Sequence, residues 1–377
     1  MADLNVNSIG DASGGTTTTV NGFTPTVSNM AGRNRIINGD MRIDQRNAGA
    51  SALLSGSQYF IDRWQFSIGG NLNNKFTVGR NLNSITPPSG FTNYLGLSTT
   101  TSITVTTNDY GQLRQPIEGF NVADLGFGTA NAQSVTLSFW VRASVTGTYA
   151  GVLQNNAENR TYAFTFSVSA ANTWEQKTIT VPGDTSGTWV TDNTKGLTLI
   201  FNLGTGSAQT APSTNSWLAG NYLTASGAVN LVANSGATFY ITGVQLEKGS
   251  TATSFDYRPY GTELQLCQRY FEMSFQQGTA PANGASSSAL LTEGGAVRIY
   301  ASGSTANDGS YVPYKVTKRA NPTVTAYGNS SGQWLLTGNT NAGLTIVGAS
   351  TDAFSAYQTA SGSILGFRGH YTSSAEL

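Results

Sequence analysis

The sequence is poor in cysteine, histidine and charged side chains. Its 377 residues include one cysteine, Cys267, and one histidine, His370. An intrachain disulfide framework and a metal site built from several histidines or cysteines are therefore excluded. Charged residues make up only 11% of the chain, against roughly 25% in typical soluble proteins. Lys plus Arg equals Asp plus Glu at 20 each, so the basic surplus on which nucleic-acid binding depends is missing.

The chain also lacks long apolar segments. No apolar run approaches the ~20 residues that a membrane-spanning helix needs, so we expect no membrane insertion. The opening residues, MADLNVNSIGD, show neither a basic stretch nor the apolar stretch of a signal peptide. We therefore expect synthesis in a cytoplasm and no use of the secretory route.

Glycine and aromatic residues are abundant instead. The 44 glycines would suggest disorder if aromatics were scarce, but 17 Phe, 16 Tyr and 6 Trp can bury a large apolar surface. Three segments alternate apolar and polar residues, which is the pattern of strands with one buried face. This predicts an antiparallel two-sheet sandwich. The inward-facing residues expected are Val135, Leu137, Phe139 and Val141; Tyr162, Phe164, Phe166 and Val168; and Leu197, Leu199, Phe201 and Leu203.

The predicted fold is all-β and divides into four parts. They are an extended arm over residues 1–32, an antiparallel β-sandwich over 33–260, a linking helix over 261–273 and a second β-sandwich domain over 274–377. The arm has too few large apolar residues to form a core, so we expect it to order on a partner or on other copies of the chain.

Local signals mark the boundary between the two β domains. The alternation in TFYITGVQLEKG changes phase, which predicts a β-bulge near Gly243. Thr262 and Gln265 have the spacing of a helix-capping box. Leu264, Cys267 and Phe271 then share one helical face.

No catalytic constellation stands out. His370 alternates with strand residues, so we interpret it as an ordinary strand histidine, and phosphate-binding motifs are absent. Loops near Asp184 or Asp192 could hold calcium, but without the spaced carboxylates of an EF-hand a plain turn is favoured. We expect no enzyme activity, no cofactor and no metal site.

Exposed aromatic rings are the candidate ligand contacts. A ring at a strand end or in a loop can stack against the apolar face of a sugar. The alternative for each is a tryptophan at the rim of the core or in a subunit contact. The glycan-contact candidates are Trp189, Trp217, Trp334 and Tyr357.

Two flanking segments resemble the beginning and end of a domain that recurs in bacteriophage tail-fibre and virion-appendage proteins. The first is AGRNRIINGDMRIDQRNAGAS with YFIDRWQFS, and the second is GVQLEKGSTATSFDYRPYGTELQLCQRYFE. Between them, VTLSFWVRASVTGTYAGVLQNN and RTYAFTFSVSAANTWEQKTITVPGDTSGTW resemble a jelly-roll sandwich of the carbohydrate-binding-module type. The ending, GHYTSSAEL, is similar to the last residues of such phage proteins. The resemblance covers about residues 1–272 and the extreme C-terminus.

The resemblance implies a structural virion protein that attaches to the particle by its N-terminal part and points its C-terminal part outward. It implies an oligomer, for which we expect a homotrimer, with residues 1–32 docked on tail, adaptor or capsid proteins. A tail fibre that recognises a host-surface polysaccharide is the first hypothesis. The alternatives are a capsid decoration or head-fibre protein without a receptor role and a glycan-cleaving tailspike.

We interpret the arginines of the first segment as structural residues. In so sparsely charged a chain we expect them to bind carboxylates or backbone carbonyls and to fix the opening segment onto the closing one or onto a neighbouring subunit. Phosphate binding is the competing interpretation. The residues assigned this structural role are Arg35, Arg42, Asp62, Arg63, Trp64, Arg258 and Tyr260.

Overall fold

The computed structural model describes residues 32–284, 296–301, 310–328, 334–336, 341–342, 345–357 and 365–377. Residues 1–31, which make up nearly all of the predicted arm, lie outside this described part. Within it the chain forms 24 strands, six single-turn 3₁₀ helices and one α-helix, so the all-β prediction is confirmed. None of the helices in these ranges is long and apolar enough to cross a membrane.

The first fifteen strands build the sandwich and the last nine follow the helix. The strands of the sandwich are β1 (Ala52–Leu53), β2 (Gln58–Ile61), β3 (Trp64–Gly69), β4 (Phe76–Arg80), β5 (Leu95–Thr99), β6 (Tyr110–Glu118), β7 (Val135–Ala143), β8 (Gly147–Asn155), β9 (Arg160–Val168), β10 (Glu175–Val181), β11 (Lys195–Thr205), β12 (Thr210–Ala211), β13 (Trp217–Ala219), β14 (Thr224–Ala225) and β15 (Thr238–Lys248). The 3₁₀ helices are Gly70–Leu72, Leu82–Ser84, Gly119–Asn121, Ala123–Leu125, Ser207–Gln209 and Leu231–Ala233.

The α-helix and the remaining strands follow. They are α1 (Tyr260–Gln268), β16 (Phe271–Met273), β17 (Val297–Ala301), β18 (Ser310–Pro313), β19 (Thr323–Tyr327), β20 (Trp334–Leu336), β21 (Asn341–Ala342), β22 (Thr345–Val347), β23 (Ala353–Tyr357) and β24 (Leu365–Ser374).

Two antiparallel sheets face each other in the sandwich. One has six strands in the order β1-β4-β5-β15-β7-β10, and the other has seven in the order β13-β9-β8-β11-β6-β3-β2. The chain crosses repeatedly from one sheet to the other, as it does in jelly rolls. The short strands β12 and β14 pair in parallel outside both sheets.

Alternating apolar side chains from both sheets form the main core. The Phe139 ring of β7 lies 5.0 Å from the Phe166 ring of β9 and 5.0 Å from the Phe201 ring of β11, both edge to face. Each buried ring contributes about 2 kcal/mol of hydrophobic stabilisation, before the edge-to-face contacts are counted. The three alternating segments that predicted inward-facing residues all place those residues in this core.

The polar side of β7 is buried in its first half as well. Thr136 is 0% exposed and Ser138 is 4% exposed. The Thr136 hydroxyl donates to the backbone carbonyl of Gly249 at 2.8 Å, which shows that the segment after β15 covers this face. The closing segment is therefore part of the folded sandwich.

The predicted β-bulge near Gly243 is confirmed. The pairing of β15 with β7 shifts register between Thr242 and Gln245. Gly243 has a φ of +60°, and a Cβ at this position would lie 2.5 Å from the Phe91 ring. Only glycine combines a positive φ with the absence of a Cβ, so Gly243 fixes the position at which the alternation of inward and outward side chains changes.

The helix differs from its prediction at both ends. It begins at Tyr260 and ends at Gln268, instead of running over 261–273, and Phe271 opens strand β16. The capping-box prediction is wrong, because Pro259 occupies the N-cap position, no side chain caps the helix, and Thr262 lies inside the first turn. Cys267 is completely buried against the opening segment, which joins the helix to the sandwich.

The C-terminal β region is organised around β24. This strand pairs with β16 and β19 through its second half and with β17 and β20 through its first half. A separate sheet has the order β18-β23-β22. The ring of His370 stacks on Phe275 at 4.1 Å within this region, and the residue is 1% exposed.

Candidate functional site

The outward face of the seven-stranded sheet is covered over part of its width. Val152, Ala163 and Ile200 lie on this face and are completely buried. They form one row across neighbouring strands, since Ile200 pairs with Val152 and Val152 with Ala163. Ala211 and Leu223, from the chain between β11 and β15, pack over this row. The cover makes a second, smaller core on the back of the sandwich.

A cleft of about 370 Å³ lies on the same face over β3, β6 and β11. Strand pairing builds its floor, because Gln65 is opposite Arg114 and Pro116 is opposite Thr198. The walls come from the turn after β8, the beginning of β11 and the C-terminal region. The wall residues are Asn156, Thr194, Lys195, Arg319 and Leu377.

Several polar groups in the cleft keep unused hydrogen-bonding capacity. The Arg114 guanidinium donates from Nε to Gln65 Oε1 at 2.6 Å. Thr198 is 2% exposed, and its buried hydroxyl has no hydrogen-bond partner in the described part of the chain. Lys195 Nζ lies 3.0 Å from Glu158 Oε1 in a partly exposed ion pair. A buried hydroxyl without a partner costs free energy, so Thr198 marks a position suited to a ligand or a water molecule.

The lining is rich in donors and poor in acids. Guanidinium, ammonium, amide and hydroxyl groups all face the cleft, and no Asp or Glu side chain is among the nine residues lining it. Most enzymes that cleave a glycosidic bond use two flanking Asp or Glu side chains, and none of these nine side chains is a carboxylate. Such a lining can donate hydrogen bonds to hydroxyl or anionic groups.

The C-terminal wall of the cleft is held firmly against the sandwich. Arg319 donates to the backbone carbonyls of Ala375 at 2.6 Å, Glu376 at 2.7 Å and Asn193 at 3.0 Å. The Tyr59 hydroxyl donates to the backbone oxygen of Leu377 at 2.7 Å. These bonds connect both β regions directly beside the cleft, so its width depends on how the regions are joined.

A buried ion cluster centred on Glu376 strengthens this junction. Its carboxylate binds Arg46 at 2.7 Å and also binds Arg63, whose side chain is 1% exposed. The Arg63 guanidinium lies 3.6 Å from the Tyr270 ring centre, and that of Arg46 lies 3.8 Å from the Phe271 ring centre. Burial by itself would lower the pKa of Arg63, but the Glu376 carboxylate together with Tyr270, Tyr59 and Cys267 outweighs burial and raises this pKa, which keeps the guanidinium charged.

The arginines of the opening segment bind carboxylates and backbone carbonyls. Arg35 donates to Asp124 at 2.9 Å, and Arg42 donates to the backbone carbonyl of Arg258 at 2.6 Å. Arg258 in turn contacts Glu263 at 3.1 Å and the backbone carbonyl of Ile36 at 3.2 Å. These contacts attach the opening segment to the closing one, and Arg35 reaches the 3₁₀ turn after β6.

Other residues assigned a structural role have different environments. Trp64 is 0% exposed and donates through its indole N–H to the Asn38 carbonyl at 2.9 Å. Asp62 is completely buried and accepts two hydrogen bonds at 2.7 Å from the backbone and side chain of Gln45, so it does not pair with the adjacent Arg63. Burial raises the pKa of Asp62 to about 6. Tyr260 begins the helix and is 49% exposed.

Trp189 and Trp217 are packed into an aromatic cluster. Their ring centres lie 5.3 Å apart, edge to face, and Phe127 and Tyr162 pack against them. Both indole N–H groups donate to backbone carbonyls. The two rings are only partly exposed, and neither is among the residues that line the cleft. The structure therefore brings these two candidates together, but away from the cleft.

The remaining two ring candidates lie in the C-terminal region. Trp334 is 0% exposed and belongs to the core formed with Val312, Phe354 and Tyr371. The interpretation of Trp334 as a glycan contact is wrong, because a sugar cannot reach a completely buried ring. Tyr357 ends strand β23, and its side chain lies outside what the structure describes.

The carboxylates considered for calcium are engaged in contacts within the protein. Asp184 accepts two bonds from Arg160, at 2.8 Å and 2.7 Å. Asp192 accepts from the backbone and hydroxyl of Thr194, and these hydrogen bonds lower its pKa. Within the described ranges no group of three or more His, Cys, Asp or Glu side chains could hold a metal ion.

Sequence reasoning did not find the cleft. The alternation in β11 predicts that Leu197 and Leu199 point inward and that Thr198 points outward. This is the one sequence pattern that could have indicated a residue of the cleft. Gln65 and Arg114 come from strands whose register is set only by the folded sheet. The contribution of Arg319 depends on contacts between distant segments, which local patterns do not encode.

Comparisons with known proteins give weak structural likenesses. A scan against protein-family models and a search of curated protein sequences give no match. The enzymatically active domain of tailspike protein 4 of bacteriophage CBA120 aligns with 57% of this chain at 14% identity and a TM-score of 0.31, and the alignment spans only 21% of that chain. The family 11 carbohydrate-binding module of the Clostridium thermocellum cellulase Lic26A-Cel5E aligns over 54% of this chain and 98% of its own, at 14% identity and a TM-score of 0.26.

A third solved structure, TmCBM61 in complex with β-1,4-galactotriose, aligns over 57% of this chain and 99% of its own, at 10% identity and a TM-score of 0.29. The two-sheet assignment of the present chain rests on its own strand pairings.

Proposed function

We propose that this protein is a non-catalytic phage tail fibre whose sandwich binds a host-surface glycan in the cleft over β3, β6 and β11. The observation that carries the glycan-binding part is the cleft itself. It combines a volume of about 370 Å³, several side-chain donors and the unpartnered hydroxyl of Thr198. Guanidinium, ammonium, amide and hydroxyl groups held on a rigid sheet can form hydrogen bonds with sugar hydroxyls.

The virion part of the proposal draws on the resemblance of the opening and closing segments to tail-fibre proteins. Residues 1–32 would attach the chain to the particle, and three copies would present the cleft outward. Each glycan contact can then be weak, because several copies on one particle raise the effective concentration of the binding sites.

A glycan array probed with the full chain tests glycan binding. The variant Thr198→Val tests whether the glycan binds in the cleft. Valine keeps the shape of threonine and removes the unpartnered hydroxyl, so the fold should lose no stability. We expect glycan affinity to fall about three- to tenfold, the effect of one hydrogen bond. Thr178→Val, at an exposed position on β10 of the opposite sheet, is the matched control and should bind like the wild type.

Three results would contradict the proposal. Failure to bind any glycan would refute glycan recognition. Unchanged binding by Thr198→Val would move the site away from the cleft. Release of oligosaccharides from a bound polysaccharide would favour the tailspike alternative. Cryo-electron microscopy of the particle tests attachment, because residues 1–32 lying across the capsid lattice would indicate a decoration protein.

A further inference from the structure

Positive charge is concentrated in the cleft. Three of the nine lining residues are cationic, namely Arg114, Lys195 and Arg319, in a chain of which only 11% is charged. None of the nine is Asp or Glu. The side chains of the whole chain carry no net charge, so this local excess of cationic side chains is a property of the cleft and not of the overall composition.

Two of these three cations have no carboxylate partner in the described part of the chain. Lys195 is paired with Glu158, whereas Arg319 binds three backbone carbonyls, which leave its charge uncompensated. Arg114 is anchored through Nε to the neutral amide of Gln65, and no ion pair of its guanidinium occurs among the described residues. The nearby Glu376 is already shared by Arg46 and Arg63.

Arg114 has the geometry of an anion anchor. Its Nε bond to Gln65 fixes the plane of the guanidinium, and the two terminal nitrogens stay available on a partly exposed side chain. A fixed guanidinium plane presents paired N–H donors that match the two oxygens of a carboxylate. Thr198 lies on the same outward face, two residues before Ile200, which pairs with Arg114.

We infer that the cleft selects an acidic glycan, with Arg114 binding the carboxylate of a hexuronic or similar acidic sugar and Thr198 binding a neighbouring hydroxyl. This inference rests on the proposed function and adds the chemical class of the ligand. Arg319, which has no carboxylate partner in the described part of the chain, adds attraction at longer range, and this attraction depends on the salt concentration.

Titration calorimetry with matched oligosaccharides tests the inference. The probes are oligogalacturonate and oligomannuronate hexasaccharides, the same chains after reduction of their carboxyl groups to alcohols, and a sulfated galactan oligosaccharide. We expect an acidic chain to bind about tenfold more tightly than its reduced counterpart, as one charge-assisted contact provides. This preference should shrink as salt rises from about 0.1 M to about 1 M, where the Debye length falls from about 10 Å to about 3 Å.

Substitutions assign the preference to one residue. Arg114→Gln should abolish the preference for the acidic chain, and Arg114→Lys should keep part of it, because the charge stays and the planar fork is lost. Arg142→Gln is the matched control, since Arg142 lies on β7 of the opposite sheet and donates through Nε to the carbonyl of Asn172. Unchanged circular dichroism spectra and melting temperatures establish that the variants fold.

The outcomes separate the inference from the proposed function. Equal binding of acidic and reduced chains, or a preference that survives Arg114→Gln in folded protein, overturns the inference and leaves glycan binding intact. Tighter binding of the sulfated probe overturns the carboxylate assignment. Absence of binding to these probes and to every glycan of the array overturns both proposals.

Discussion

Replacing Glu376 by glutamine should weaken the junction between the two β regions. The substitution keeps the shape of the side chain but removes the charge shared by Arg46 and Arg63. The Arg63 side chain is 1% exposed, so its charge would remain buried without a carboxylate partner. Breaking a buried ion pair on one side costs about 3–5 kcal/mol. We expect the lower end, because Arg63 keeps its 2.6 Å bond to the Pro116 carbonyl and its contact with the Tyr270 ring.

Urea unfolding followed by tryptophan fluorescence and by circular dichroism measures this loss. Asp124→Asn is the matched control. Asp124 also contacts two cations, Arg35 at 2.9 Å and Lys248 at 3.6 Å, but its side chain is 47% exposed. An exposed pair contributes up to about 1 kcal/mol, so the control should change little. If Glu376→Gln lost no more stability than Asp124→Asn, the buried cluster would not stabilise the junction.

Three further substitutions test the buried polar groups. Burial raises the pKa of Asp62 to about 6 from 3.8, so the folded state binds the proton more tightly than the unfolded state and the contribution of Asp62 to stability falls as pH rises between those values. The free energy of unfolding of Asp62→Asn, measured by urea titration, should therefore rise relative to that of the wild type as pH rises from about 3.8 to about 6. A difference between the two proteins that does not depend on pH would contradict this. Lys318→Met leaves the Glu272 carboxylate without a cation at a site where both side chains are 0% exposed, although the Lys315 backbone N–H and the Tyr371 hydroxyl still donate to it. Thermal unfolding should report a loss of about 3–5 kcal/mol. Arg160→Lys gives up one of two bonds to Asp184 and should cost about 1 kcal/mol in urea unfolding, so an unchanged midpoint would argue against the paired geometry.

Much of the sandwich could be predicted from local patterns. Leu137, Phe164 and Phe201 each belong to a series of large apolar residues at every second position, and all three lie in the core because a strand has a period of two. The bulge at Gly243 was visible as a change of phase. Phe271 misled the prediction, since it continues a helical period but pairs in a strand with Ser374 at the far end of the chain. Tertiary pairing overrode the local pattern there.

The candidate site was harder to predict than the fold. Trp334 opens a short apolar run, and the sequence does not show that later strands enclose it. Arg114 and Thr198 belong to strands separated by four others in the chain, and only the strand order of the sheet brings them onto one floor. A cleft whose residues come from several distant segments leaves no local motif.

A crystal structure of the chain with the tightest-binding oligosaccharide from the array tests the central claim most directly. The account predicts sugar density over β3, β6 and β11, with polar contacts to Arg114 and Thr198. Sugar stacked on Trp189 or Trp217, or bound anywhere else while the cleft stays free of sugar, would contradict it.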